Sequence, residues 1–246
     1  MLWETGPVTS PTARRCGALL LAAALLSGCA GTAAKPATAV AAAAYHGVEP
    51  QPVPQRPSFT LTDLSGRRYD FLARTKGTPT LVYFGYTHCP DECPTAMADI
   101  ATALRQTKAS LRDRVQVLFV TTDPKRDTPG VLRDWLARYS TRIVGLTGTQ
   151  AEVDAAQTAM GVPPAKRDGV VPTLPGKPNE HVHAPGTAPH THSGPLGYAV
   201  AHANVIFAYD AADRLPVVYP GGVTPADIAA DLPVLADPAA AAQEDS

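Results

Sequence analysis

The chain has 246 residues, and its 21 lysines and arginines nearly balance its 22 aspartates and glutamates, for a formal net charge of −1. No basic stripe runs along it, so nothing in the charge points to nucleic acid. The length allows one domain with its own hydrophobic core, once processed and linker segments are set aside.

Residues 1–28 read as an export signal. Arg14 and Arg15 give a short basic start, and Gly17 to Leu26 is apolar. That run is too short for a membrane span, which needs about 20 residues. Leu26-Ser27-Gly28-Cys29 has the form of a lipoprotein box, in which Cys29 becomes the lipidated first residue. The alternative is an ordinary signal peptide with a chance cysteine. The lipidated form would be a bacterial lipoprotein, anchored to the extracytoplasmic face of the cell membrane. Residues 29–57 are rich in alanine and proline without periodicity, and are expected to form a flexible linker. The folded domain is expected over 58–236, with a disordered tail at 237–246.

Along the domain, Phe59 to Leu61 reads as a short strand that turns at Ser65-Gly66 and returns near Tyr69. Thr80 to Phe84 is a buried strand. Pro94 to Lys108 is a helix, with Met97, Ile100, Ala101 and Leu104 at helical spacing. Val115 to Val120 is a second buried strand, and a helix starts at Asp127-Thr128-Pro129. Ile143 to Leu146 makes a third core strand, and Thr149 to Met160 a helix stopped by Gly161. Residues 162–197 are rich in Pro, Gly, Thr and His and read as a long loop. Val205 to Tyr209 and Pro216 to Tyr219 form a hairpin, and Thr224 to Leu235 the last helix. Strands alternating with helices give an α/β fold with a largely parallel central sheet. A cysteine motif between a core strand and its helix is the thioredoxin-like arrangement.

That motif is Tyr83-Phe84-Gly85-Tyr86-Thr87-His88-Cys89-Pro90-Asp91-Glu92-Cys93-Pro94. Residues four apart share a helix face, so Cys89 and Cys93 can converge on one soft ion. A helix N-terminus also favours thiolate over thiol. Of the four cysteines, Cys16 leaves with the signal and Cys29 carries lipid, so the domain keeps one close pair. Such a pair serves metal binding or redox chemistry; a structural disulfide here would close a tiny loop and stabilise little.

Taken together, three motifs resemble the Sco/SenC copper proteins. The first is the cysteine stretch above. The second is Thr122-Asp123-Pro124-Lys125-Arg126-Asp127-Thr128-Pro129. The third is Tyr198-Ala199-Val200-Ala201-His202, a single histidine just before the late strand. The resemblance implies a thioredoxin-like fold, a mixed central sheet flanked by helices, that binds one copper ion through Cys89, Cys93 and His202. It also implies a role in assembling cytochrome c oxidase, chiefly the binuclear copper centre of subunit II. Other copper chaperones or thiol reductants would be further partners. Soft thiolates select Cu(I), and imidazole also suits copper.

The rival reading is a thiol–disulfide oxidoreductase acting on oxidase cysteines, with Cys89 and Cys93 as its redox-active disulfide. Thioredoxin-type enzymes use Cys-x-x-Cys and a proline before the facing strand; here the spacing is longer, and Val200-Ala201-His202-Ala203 has no proline. Both departures favour a carrier over an enzyme. A copper-responsive redox sensor is a third possibility. His88 is too close in sequence to Cys89 to bind the same ion and is expected to support it from behind. Asp123 and Asp127 follow a strand end on the edge where α/β sites form; they either cap the next helix or brace the copper ligands. His181, His183, His190 and His192 form a His-rich tract that either collects Cu(II) as an accessory site or is incidental.

Overall fold

A computed structural model describes residues 45–140, 142–166 and 200–239. The predicted export signal, Cys29, the histidine tract and the last seven residues of the tail lie outside the described residues.

Seven strands make one mixed sheet: β1 (Thr60–Asp63), β2 (Arg68–Asp70), β3 (Thr80–Gly85), β4 (Gln116–Thr121), β5 (Val144–Thr147), β6 (Val205–Tyr209) and β7 (Val217–Pro220). Their spatial order is β2-β1-β5-β4-β3-β6-β7. β3 pairs in parallel with β4, and β4 with β5, while β6 runs antiparallel to β3. All six residues of β3 are buried. A strand covered on both faces reads as a continuous apolar run, which is why it stood out in the sequence.

The strand pleat divides the core in two. Leu81 and Tyr83 face the helices α2 (Glu92–Gln106), α4 (Pro129–Leu136) and α6 (Pro225–Ala236). Val82 and Phe84 face α1 (Phe71–Thr75) and α5 (Gln150–Ala159). Two short helices were not predicted: α1, where the Asp70 side chain accepts from Ala73 N at 2.9 Å, and α3 (Ala109–Arg112). Neither is long enough to show periodicity. α2 starts at Glu92, so Pro94 sits in its first turn, where a missing N–H costs no intrahelical bond.

The expected linker to residue 57 is corrected by the structure. Val48 pairs with Val218 through two backbone hydrogen bonds of 2.8 and 2.9 Å, and Leu215 N donates to Pro54 O at 2.8 Å. The Arg56 guanidinium is buried. It donates to Thr75 Oγ1, Thr80 Oγ1, Thr78 O and Asp210 O at 2.8 to 3.0 Å, and lies over the Tyr209 ring. Residues 45–57 are thus a strap along the β7 edge. Their contacts are made mostly by backbone atoms and one charged side chain, so no hydrophobic pattern reveals them.

The expected loop at 162–197 begins with ordered contacts too. Val162 is buried, and Lys166 and Ala201 exchange backbone hydrogen bonds of 2.8 and 2.7 Å. That bridge ties down the segment next to His202.

Candidate metal centre

The chain leaves β3 at Gly85, turns through Tyr86 to Asp91 and enters α2. Cys89 N donates to Tyr86 O at 3.2 Å, closing the turn. Cys93 is the second residue of α2, and its N–H has no partner within the helix. That N–H donates to Cys89 Sγ at 3.3 Å. The two sulfurs meet through this turn-to-helix cap rather than through two positions on one helix face. Neither is in a disulfide.

The third group arrives from the other side of the sheet junction. His202 Nε2 lies 3.2 Å from Cys93 Sγ, and its Nδ1 lies 3.1 Å from Ala203 O. A carbonyl only accepts, so Nδ1 carries the proton and Nε2 turns its lone pair toward the sulfurs. The ring is held edge-on between Tyr83 and Tyr86, with centroids at 5.9 and 5.8 Å. Tyr83 is anchored by donating to Asn204 Oδ1 at 2.9 Å. The Cys89, Cys93 and His202 donor atoms all lie within 4.8 Å of one another and are buried. The described residues contain no other such group of three His, Cys, Asp or Glu side chains. Two sulfurs and an imidazole nitrogen suit a soft, low-coordinate cation.

The two thiols differ sharply. A hydrogen bond from the Cys93 thiol, with help from the backbone N–H groups of Cys93 and Asp91, holds the Cys89 thiol down at about 4 against burial. Burial, and then the neighbouring Cys89 thiolate, push the Cys93 thiol well up. The pair therefore shares one proton at neutral pH, a thiolate at the rim and a thiol beneath it.

Asp127 braces the turn before Cys89. It is buried and accepts from Thr87 N at 3.0 Å, Thr87 Oγ1 at 2.5 Å and Thr121 Oγ1 at 2.6 Å. Burial raises its pKa. Thr128, not Asp127, caps α4, accepting from Val131 N at 3.4 Å. Asp123 pairs with Arg126, whose guanidinium lies 5.6 Å above the Tyr86 ring. His88 is partly exposed, with Nδ1 3.1 Å from Thr87 Oγ1 and 3.8 Å from Asp127 Oδ1, and stands outside the three-ligand group.

Sequence reading placed Gly85 and Tyr83 only as members of the cysteine motif, with no role of their own, and did not point to Asn204. A Cβ on Gly85 would meet Cys93 Sγ at 2.9 Å and Tyr83 Cε1 at 2.8 Å, so glycine there makes room for the thiol. Its place immediately before the cysteine turn was the available signal. Tyr83 looked like any strand residue, and Asn204 like any loop residue.

The SCO1/SenC family model matches residues 48–237. The chain belongs to the SCO1/SenC family. ScoI of Bradyrhizobium japonicum with copper bound is 32% identical, with a TM-score of 0.56; the match covers 74% of this chain and 100% of that one. The apo Sco1 protein from Thermus thermophilus is 25% identical, with a TM-score of 0.61 over 78% of this chain and 97% of that chain. Mitochondrial SCO2 of Saccharomyces cerevisiae is 37% identical over 95 residues, 39% of this chain and 31% of its own. The aligned segments span 31% to 45% of the curated relatives' lengths. The mixed seven-stranded sheet flanked by helices is the thioredoxin-like fold of these Sco structures. The family match at 48–237 nearly coincides with the span of the described residues, 45–239.

Proposed function

We propose that this protein is a copper metallochaperone for cytochrome c oxidase assembly, holding one copper ion on Cys89, Cys93 and His202 and delivering it to the binuclear centre of subunit II. The observation that carries this reading is the convergence of two sulfurs and one imidazole nitrogen within 4.8 Å. Family membership and the copper-bound ScoI relative support it. Three ligands suit Cu(I) and leave the ion reachable by an acceptor's own sulfurs. Cys89 is the ligand nearest solvent, at 9% exposure against 0% for Cys93 and 3% for His202, so exchange begins there. Asp127 and the two tyrosines hold the ligands in place while the ion changes hands. The same reading puts the protein outside the cytoplasm, held to the membrane by lipid on Cys29. The apolar run before Leu26-Ser27-Gly28-Cys29 supports that placement.

A second reading rests on the asymmetry of the two cysteines. A rim thiolate over a buried thiol can attack a substrate disulfide, and Cys93 then displaces the mixed disulfide; two electrons pass to the substrate and Cys89–Cys93 becomes the disulfide. Copper titration of the reduced domain against a strong Cu(I) chelator separates the two. One tight copper per chain is expected, abolished in Cys89→Ser or Cys93→Ser and weakened in His202→Ala. Absent binding with rapid reduction of a test disulfide would replace the first reading by the second.

A further inference from the structure

A second feature lies at the opposite end of the sheet. Thr78 precedes β3, Val115 precedes β4 and Ile143 precedes β5, and all three line a cavity of about 550 Å³ at the edge where the parallel strands begin. Cys89 follows the other end of β3. With six residues in that strand, the two sites stand about 20 Å apart at ~3.3 Å per residue.

Leu104, Val115, Tyr139 and Ile143 give the cavity an apolar floor, and Arg105, Arg112, Arg114 and Arg142 rim it. Asp113 is the one carboxylate in the lining; it accepts from Arg142 at 2.5 Å and lies 3.7 Å from Arg112 Nε. Arg114 donates to Ala236 O and Arg105 to Thr102 Oγ1. Four guanidiniums against one carboxylate is a local excess of positive charge in a chain whose net charge is −1. These cations, unremarkable along the sequence, are gathered by the fold.

We propose that this arginine-rimmed face is where the domain rests on an anionic phospholipid bilayer. Guanidinium forks match phosphate oxygens, and basic side chains are drawn to acidic leaflets. Beside the arginines the Tyr139 ring is half-buried and suits the headgroup level, while Leu104, Val115 and Ile143 pack toward the core. The inference rests on the proposed lipid tether and goes beyond copper carriage. From Cys29 to Tyr45 is 16 residues, a reach of at most about 55 Å, ample to lay this face on the membrane. A protein that takes copper must approach the opposite end. With the arginines down, the Cys89–Cys93–His202 group faces the aqueous side, where a membrane oxidase presents its soluble parts.

The test is co-sedimentation of lipid-free residues 45–246 with vesicles, at low and high salt, alongside copper titration of the same samples. Binding is expected to mixed phosphatidylcholine–phosphatidylglycerol vesicles and not to phosphatidylcholine alone. Arg112→Ala and Arg142→Ala should each weaken it about fivefold, and Asp113→Asn should strengthen it. Absence of binding, equal binding to neutral vesicles, or full binding by the double arginine variant would overturn the proposal. Copper uptake without vesicle binding overturns the docking alone; vesicle binding without copper uptake overturns the copper function alone.

Discussion

Arg56→Ala tests where the folded domain begins. The guanidinium is buried, with Nη1 and Nη2 donating to two threonine hydroxyls and two carbonyls. Asp213 Oδ1 lies 2.9 Å from Nε, off the N–H axis, and acts as a counter-charge. Truncation leaves Thr78 O its bond from Thr80 Oγ1 and Asp210 O its bond from Asp213 N at 3.2 Å, so neither carbonyl is orphaned. A hydrogen bond from a charged donor is worth about 1.5–3 kcal/mol. The empty space beside Tyr209 and Phe71 adds a cavity term of the kind that makes large-to-alanine changes cost about 2–5 kcal/mol. Asp213 is partly exposed and turns to water, so its lost pairing is discounted. The expected loss is about 2–5 kcal/mol, from the cavity and the lost charge-assisted bonds. At about 2–4 °C per kcal/mol for a domain of this size, Tm falls by about 4–20 °C. Urea unfolding followed by circular dichroism measures it. Arg56→Lys, which keeps the charge and loses the fork, should fall between, and copper uptake at 25 °C should persist in both. A loss below about 1 kcal/mol would refute the reasoning and return residues 45–57 to the tether.

Three further outcomes are expected. Gly85→Ala should lower copper affinity and cost about 1–3 kcal/mol of stability, because its new methyl collides with Cys93 Sγ and Tyr83; unchanged copper spectra would contradict the packing. In the reduced, copper-free domain, iodoacetamide should modify Cys89 alone, with a rate that rises through about pH 4 and is flat from 6 to 8. Because the folded-state pKa of Cys89 lies below its ordinary 9.0, that thiolate's stabilisation is present above 9 and is lost as pH falls toward 4; a rate still climbing at pH 8 would refute the assignment. The hydrogen bond to Asp231 raises the His46 pKa above 6.5. Its stabilisation is therefore present below 6.5 and lost as pH rises through the higher folded-state value. NMR titration should show this shift, and Asp231→Asn should abolish it.

Much of the fold was legible because its signals are local. β3 and β4 announce themselves as continuous apolar runs, and α2 by apolar residues at helical spacing. The cysteine turn was legible as chemistry, since two soft ligands four residues apart have few other uses. The strap was not, because Arg56 reaches its partners at Thr75, Thr80 and Asp210 only after the sheet has formed. Asp127 was legible only as an alternative, either capping the next helix or bracing the copper ligands, and only the fold brings it against Thr87.

Sequence alone determined the order of the strands and longer helices and singled out the Cys89–Cys93 pair, because periodicity and soft sulfur donors are properties of the residues themselves; His202 entered through the resemblance of three motifs to the Sco/SenC proteins. Tertiary structure decided which cysteine is the rim thiolate, which ring nitrogen of His202 faces the sulfurs, and that four arginines share one cavity. Those depend on burial and on contacts between residues far apart in the chain, where desolvation and hydrogen bonding set charge and orientation.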